Sequence, residues 1–507
     1  MRTFSVWLAV GCLAFGFPVF AEASTGTLPA PTATPTNSTG IARTTLKNGL
    51  RVVVVRNRLA PVVTTQMSYL VGSNEAPKGF PGTAHALEHM MFRGSPSLSQ
   101  DQLAQIGALL GGSFNASTTQ TVTQYYYSVP ASDLDIALHI EALRMRGLDV
   151  TPTDWGKERG AIEQEVSRDL SNPGYLYYKQ LLAAMFKGTP YAHDALGTRP
   201  SFNKTTAKML RHFHEQWYAP NNAILVVVGD VDPTAVLKEV SSLFGPIPTK
   251  QLPARPSIKL QPIKAETLKL TTDRPYGSVL LAWRMPGFTS PDYAASTILA
   301  DVLDSRRGKL NALVPEGKAL AAGFDQNAFH ATGIGFAQAV FAKGQNAKTL
   351  EQELATRVAE IREHGVSPAL VAASKRQEIA QLERQKTSIS GLANAWSAAL
   401  AFQDLKSPED MKAAFEAVTV ADVNRLAKQL LDPGRAITAI LTPEPSGKPV
   451  SQHGFGGSES FNAKPTKAVK LPAWASRLET QPPVPAPTLH PTVETLPNGI
   501  KLIVQPE

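Results

Sequence analysis

The stretch His85-Ala86-Leu87-Glu88-His89 constrains this chain more than any other. Two histidines four residues apart turn their rings to the same side only where the backbone is helical, because residues i and i+4 lie one above the other on an α-helix. The surrounding residues permit that helix. Gly82-Thr83 offers an N-terminal cap, Ala84 to Phe92 are mostly good helix formers, and Arg93-Gly94-Ser95-Pro96 ends the run. A helix with His85 and His89 on one face offers two imidazole nitrogens to a single metal ion, and Glu88 then lies close enough to act as a base. The order His-x-x-Glu-His reverses the His-Glu-x-x-His arrangement and implies zinc peptidase chemistry of the inverted type. The rival reading of the same residues is a pair of surface histidines on an amphipathic helix.

A catalytic zinc ion takes three protein ligands and keeps a fourth position for water, so a further donor must come from elsewhere. The richest acidic helix downstream runs from Trp155 to Asp169. Within it Glu158 and Glu165 are seven apart and share a face after two turns, Glu163 falls on a different face, and Asp169, four beyond Glu165, also qualifies by spacing. Taken alone, this segment reads as a solvated charged helix with Glu/Arg pairs. His212 and His214 are two apart and do not share a face, while His139, His193 and His330 have no acidic or histidine partner at ligand spacing. All five read as structural.

Other chemistries find little support. No Gly-x-Ser-x-Gly elbow occurs, and the single cysteine, Cys12, lies in an N-terminal apolar run. The formal charge of +8 is spread along the chain with no basic block interleaved with aromatics. That argues against nucleic acid and leaves a mild preference for acidic or unfolded peptides. From Gly111-Gly112-Ser113-Phe114-Asn115-Ala116 to Pro130 the chain is β-branched and aromatic and reads as a strand.

With these residues in view, the chain resembles the pitrilysin, insulysin and mitochondrial processing peptidase family. There the His-x-x-Glu-His pair is completed by a downstream glutamate, itself preceded by a supporting glutamate seven residues earlier. The resemblance implies His85, His89 and Glu165 as ligands of one Zn2+ per chain, Glu88 as general base, and Glu158 as the supporting carboxylate. It implies that the Gly-Gly-x-x-Asn-Ala segment, with Phe114, Asn115 and Ala116, is an edge strand to which an extended substrate adds as another strand. Trp217 to Val231 resembles the family's helix-to-strand passage. The implied function is a zinc metalloendopeptidase acting on extended or unfolded peptides. A catalytically silent peptide-binding or assembly subunit of a larger complex is the alternative. Smaller members carry an arginine and a tyrosine that hold the substrate carbonyl in a stretch comparable to Leu313 to Ala321. Here Val314 and Ala321, or Ala322, stand in those places.

The expected organisation is α+β, with two successive similar domains, each a mainly antiparallel sheet packed with helices on one face. Residues 1–23 read as a secretory signal, from Arg2, the apolar run Phe4 to Ala21, and the small-residue exit around Ala21-Glu22-Ala23. The expected location is therefore periplasmic or secreted, without a membrane association after cleavage. Residues 24–43 are a Thr/Pro/Ala-rich tether, 44–250 a zinc-binding α+β domain, 262–445 a second α+β domain without catalytic residues, and 446–492 a linker. Residues 493–507 repeat the start of the first domain: Thr495-Leu-Pro-Asn-Gly-Ile-Lys-Leu-Ile-Val504 matches Thr45-Leu-Lys-Asn-Gly-Leu-Arg-Val-Val-Val54 position by position. We expect a second half that begins there and is truncated, or a partner subunit that supplies the missing Arg/Tyr pair.

Overall fold

The computed structural model describes residues 40–444, 469–480 and 491–504. The expected signal, Cys12, most of the tether and much of the expected linker lie outside the described residues.

The first unit is built on the strands β1 (Ile41–Thr45), β2 (Arg51–Arg56), β3 (Val62–Tyr69), the small ladder β4 (Gly94–Ser95) and β5 (Leu98–Ser99), β6 (Ser113–Thr118), β7 (Thr123–Pro130) and β8 (Ala223–Gly229). All but β4 and β5 join in one sheet of order β1-β2-β8-β3-β7-β6. Its helices are α1 (Thr83–Met90), α2 (Gln100–Leu109), α3 (Leu134–Arg146), α4 (Pro152–Leu170), α5 (Pro173–Met185), α6 (Arg199–Phe202), α7 (Ala207–Trp217) and α8 (Pro233–Phe244). The unbroken apolar sequence of β8 is explained by its place: every residue is buried, because both faces of the sheet are covered. In β7 the burial alternates instead, with Tyr125 and Tyr127 turned to the core and Gln124, Tyr126 and Ser128 half-buried on the other face.

The second unit repeats this plan. Its strands are β9 (Glu266–Thr272), β10 (Tyr276–Pro286), β11 (Ala321–Ala328), β12 (Thr332–Ala342) and β13 (Ile437–Pro443), in the order β11-β12-β10-β13-β9. Strand β9 runs parallel to β13 as β2 does to β8, and the other neighbours are antiparallel in both sheets. Its helices are α9 (Tyr293–Asp304), α10 (Ala347–His364), α11 (Pro368–Gln385), α12 (Ile389–Ser397), followed by a π-helical turn (Ala398–Phe402), α13 (Pro408–Ala417) and α14 (Val420–Leu430).

Each unit's own helices cover one face of its sheet, and the opposite face is covered by a helix from the other unit. Ile389, Ala393 and Trp396 of α12 pack on Val53, Val55, Ile224, Val226 and Val228 of the first sheet. Tyr177, Leu181, Leu182 and Met185 of α5 pack on Leu280, Ala282, Ile437 and Ala439 of the second. The connecting stretch is pinned by Arg255. Its guanidinium meets Glu75 at 3.0 Å and Asn222 at 3.0 Å and lies 5.3 Å from the centre of the Trp217 ring.

Part of the expected linker is docked. Within residues 469–480 a 3-10 helix, Ala473–Glu479, inserts Leu471, Ala475 and Leu478 into the first unit's core. Trp474 stacks on His139 at 5.1 Å between ring centres, and Arg477 reaches Asp133 at 3.0 Å and Asp135 at 2.6 Å. The surrounding Pro, Ser and Lys mask this short apolar pattern in the sequence. The terminal repeat forms its own hairpin, β14 (Thr492–Thr495) with β15 (Lys501–Val504), in the register of β1 with β2: Thr495 faces Lys501 as Thr45 faces Arg51. Its side chains remain in solvent, Ile503 at 64 % exposure where its counterpart Val53 has 5 %. Among the described residues no helix is long and apolar enough to cross a membrane.

Candidate metal centre

Helix α1 carries the motif and is buried along its whole length, from Thr83 to Met90. It starts without a side-chain cap at Gly82, whose φ of 88° is left-handed. Gly82 lies against Gly197, whose φ is 86°. A Cβ on Gly197 would stand 2.6 Å from the Cα of Gly82, so neither position tolerates a side chain. This contact brings the loop containing Leu196 to the motif. The Leu196 carbonyl lies 3.2 Å from His85 Nδ1.

The second imidazole is held by α4, where Glu158 Oε1 lies 2.9 Å from His89 Nδ1. With each Nδ1 hydrogen directed at its oxygen, each ring turns an Nε2 lone pair inward. The two Nε2 atoms are 3.1 Å apart, and Glu165 Oε2 lies 3.4 Å from that of His85 and 3.8 Å from that of His89. One donor atom from each of these three buried residues falls within 4.8 Å of the others. A tetrahedral zinc ion with bonds of about 2.0–2.1 Å places its donors about 3.3–3.4 Å apart. The donor set and its spacing fit zinc. The structure thus brings together all three expected ligands and leaves the alternatives aside. Asp169 is buried next to Arg168, whose Nε is 3.3 Å away, and Glu163 turns outward to Arg159 and Arg199, each at 3.9 Å.

The electrostatics favour ligation. Burial pushes the His89 imidazolium pKa down to about 4, with His85 adding to the effect against the opposing pull of Glu158, so the ring is neutral at physiological pH. Burial would raise the Glu158 carboxyl, but the hydrogen bond from His89 and the guanidinium of Arg93 outweigh it and hold the pKa below its ordinary value. Arg93 closes on Glu158 Oε2 through both Nε and Nη2. Glu88 is 4 % exposed, and its Oε2 accepts a hydrogen bond from Thr118 Oγ1.

Thr118 ends β6, the edge strand of the sheet, with no further strand beside it among the described residues. On β6, Phe114 stacks between Phe92 and Tyr127, Ala116 is buried, and Asn115 Oδ1 accepts from the Ala116 amide at 2.8 Å. Sequence reasoning missed Thr118, Arg93, Leu196 and the Gly82/Gly197 contact. Arg93 lies four residues beyond His89, and the sequence presents it only as part of a helix stop. The other histidines named above stand apart from the site. His214 is buried and donates to the Arg144 carbonyl at 2.7 Å, and His212 is exposed. His193 bonds the Asp194 carbonyl. His330 does have an acidic partner, Asp404 at 3.1 Å, brought close by the fold from 74 residues away.

Sequence comparison agrees with this geometry. Residues 51–199 match the family described as Insulinase (Peptidase family M16), and residues 204–378 match the Peptidase M16 inactive domain. This chain belongs to the M16 peptidase family. Among curated M16 relatives, the zinc protease PqqE of Helicobacter pylori is 26 % identical over 413 residues, 79 % of this chain and 92 % of that protein. An uncharacterized zinc protease of Streptomyces coelicolor is 29 % identical over 40 % of this chain, a match that spans 44 % of the relative's own length. Among solved M16-like structures, a Helicobacter pylori protease superposes with a TM-score of 0.72 at 24 % identity, covering 82 % of this chain and 100 % of that one. The periplasmic protease PqqL of Escherichia coli gives 0.69 at 18 % identity, over 94 % of this chain and 55 % of that one. At these identities the structural likeness speaks for the M16 fold.

Proposed function

We propose that this chain is a zinc-dependent metalloendopeptidase that hydrolyses extended or unfolded peptides. The observation that carries the reading is the convergence of His85, His89 and Glu165 on one point, with Glu88 buried next to His89 in the sequence of the same helix. We assign the first three as ligands of one Zn2+ per chain, Glu88 as general base, Glu158 as the carboxylate that orients His89, and Phe114, Asn115 and Ala116 as the docking edge for substrate.

Zinc held by His85, His89 and Glu165 would supply a Lewis acid for the scissile carbonyl and a water of near-neutral pKa. The chain's own groups supply the rest. Glu158 accepts the Nδ1 hydrogen of His89 and so fixes both tautomer and ring orientation. Glu88 takes the proton of the attacking water and hands it to the leaving amine. The outer edge of β6 offers backbone groups to an extended peptide as a strand-addition surface. We place the units at residues 44–250 and 262–445 and read the protein as exported, on the strength of its N-terminal apolar run.

The test is cleavage of a quenched, unfolded peptide by the full chain, with and without a chelator, beside Glu88→Gln. Chelator-sensitive turnover that vanishes in Glu88→Gln while zinc is retained is expected. Undiminished cleavage by that variant would overturn the assignment of the base. A second reading, a silent peptide-binding or assembly subunit, is favoured by one observation: Val314 and Ala321 stand where an Arg/Tyr pair would hold the substrate carbonyl. Loss of such a donor costs about a hundredfold or more in rate. A folded, zinc-loaded chain without turnover would favour that reading, with a second half or partner subunit supplying the pair.

A further inference from the structure

We propose that Thr118 is a positioning residue for Glu88, holding the base's carboxylate on the same strand to which substrate adds. The inference rests on the reading of Glu88 as general base. A glutamate on a helix can turn its carboxylate through several rotamers. The Thr118 hydroxyl favours one of them from outside the helix by donating to Oε2 of the nearly buried Glu88.

Thr118 is itself firmly mounted. It closes β6 opposite Thr123 of β7, and the turn between them is tied by the Thr119 amide to the Val122 carbonyl at 2.9 Å and by Thr119 Oγ1 to the same carbonyl at 3.0 Å. The tip of this hairpin is bound to the loop after β3. The Ser73 amide reaches the Thr119 carbonyl at 3.0 Å, the Asn74 amide the Gln120 carbonyl at 2.9 Å, and Thr123 Oγ1 the Val71 carbonyl at 2.9 Å. Gly72 permits this approach, since a Cβ there would stand 2.3 Å from the Thr119 oxygen. The hydroxyl therefore has a fixed place relative to the sheet, and Glu88 takes its place from the hydroxyl.

The chemistry balances with no added component. Glu88 takes one proton from water while its Oε2 accepts the Thr118 hydrogen. The water proton then passes to the leaving amine, and the Thr118 hydrogen never leaves its own oxygen. Because β6 is also the docking edge, a peptide added to it is registered against the same strand that orients the base.

The experiment compares Thr118→Val, which keeps the shape and removes the donor, with Thr118→Ser, which keeps the donor and removes a methyl. Loss of a hydrogen bond to a charged group predicts a kcat lower by roughly ten- to hundredfold in Thr118→Val, with KM within about twofold and zinc content unchanged. Thr118→Ser is expected to recover most of the rate. If valine prevents folding, Thr118→Ala serves with the same expectation. Wild-type kcat in the donor-less variant would overturn the inference, as would a serine variant as slow as the valine one, which would point to packing. A zinc-loaded wild-type chain with no turnover would remove the general-base reading and this inference with it. Active wild type with an unaffected Thr118→Val removes the inference alone.

Discussion

The two units share a topology and differ in what they place between the same two helices. In the first, the interface of α1 and α4 holds His85, His89, Glu158 and Glu165. The corresponding helices of the second, α9 after its first antiparallel strand and α11 with proline at its start, also pack together. Counted from the helix start, the positions of His85, Glu88 and His89 in α1 are taken in α9 by Ala295, Ile298 and Leu299, all buried. The interface is not wholly apolar, however. Asp301 of α9 and Glu378 of α11 face one another there as a hydrogen-bonded carboxyl pair. One scaffold thus tolerates a buried polar cluster at this place, and only the identity of a few side chains separates a metal centre from a structural acid pair. The match of residues 204–378 to an M16 inactive domain accords with that division.

The largest effect is expected from making α1 resemble α9. His85→Ala with His89→Leu removes two of three ligands, so zinc content measured by metal analysis should fall from one per chain to none, and peptide cleavage with it, while the far-ultraviolet circular dichroism stays that of the wild type. Zinc retained in the double variant would mean that another donor set holds it. A smaller effect is expected from Glu158→Gln, which leaves all three ligands in place, weakens the support of His89 and removes the charge that Arg93 closes on. Removal of such an outer carboxylate typically costs about 10–100-fold in metal affinity. Competition with a chelator reads this directly, and an unchanged affinity would reduce Glu158 to a packing role.

The entry to the two helices differs as well. Helix α9 begins at Asp292, with an ordinary φ of −89° and an ion pair to Arg425 at 2.6 Å, whereas α1 begins at the Gly82/Gly197 contact. Gly197→Ala must strain a left-handed position and push apart two backbones, which is expected to cost on the order of 2–3 kcal/mol and to misplace the Leu196 carbonyl behind His85. Asp292→Ala loses a half-exposed ion pair and is expected to cost about 0.5–1 kcal/mol. Denaturant titration of the two variants checks the ordering, and equal losses would show that the glycine contact is not under constraint.

How much of this was legible in the sequence follows from the range of each interaction. The α1 motif is local, so the spacing of His85 and His89 disclosed both the helix and the shared side of the two rings. Glu165 could be narrowed by helical spacing to the same set as Asp169, and only the family resemblance preferred it, because the choice depends on how α4 crosses α1. The exchange of α5 and α12 between units left no local signal, since an amphipathic helix does not state which sheet it covers. The docked segment around Ala475 was hidden in a stretch of linker composition, and Thr118 read as one β-branched residue among several. Asp301 and Glu378 carry no local signal of their pairing, because it is set by the contact of α9 with α11.

That acid pair supplies a pH signature specific to the second unit. Burial raises the Asp301 carboxyl well above its ordinary range, and the facing charge and hydrogen bond of Glu378 raise it further. In the unfolded chain the same group titrates near its ordinary value of about 3.9. Between that value and the raised one of the fold, the folded state holds a proton that the unfolded state has released, so stability falls as pH rises through this window and levels off above it. Asp301→Asn keeps the size and a hydrogen-bond donor toward Glu378 but has nothing to titrate. Its stability, read as melting temperature, is therefore expected to gain on the wild type as pH is raised from 5 to 8, by about 1.4 kcal/mol for each pH unit that lies inside the window. Parallel melting profiles for the two proteins over that range would mean that Asp301 ionises in the fold as it does in water. The interface of α9 with α11 would then be a solvated contact, unlike the enclosed one between α1 and α4.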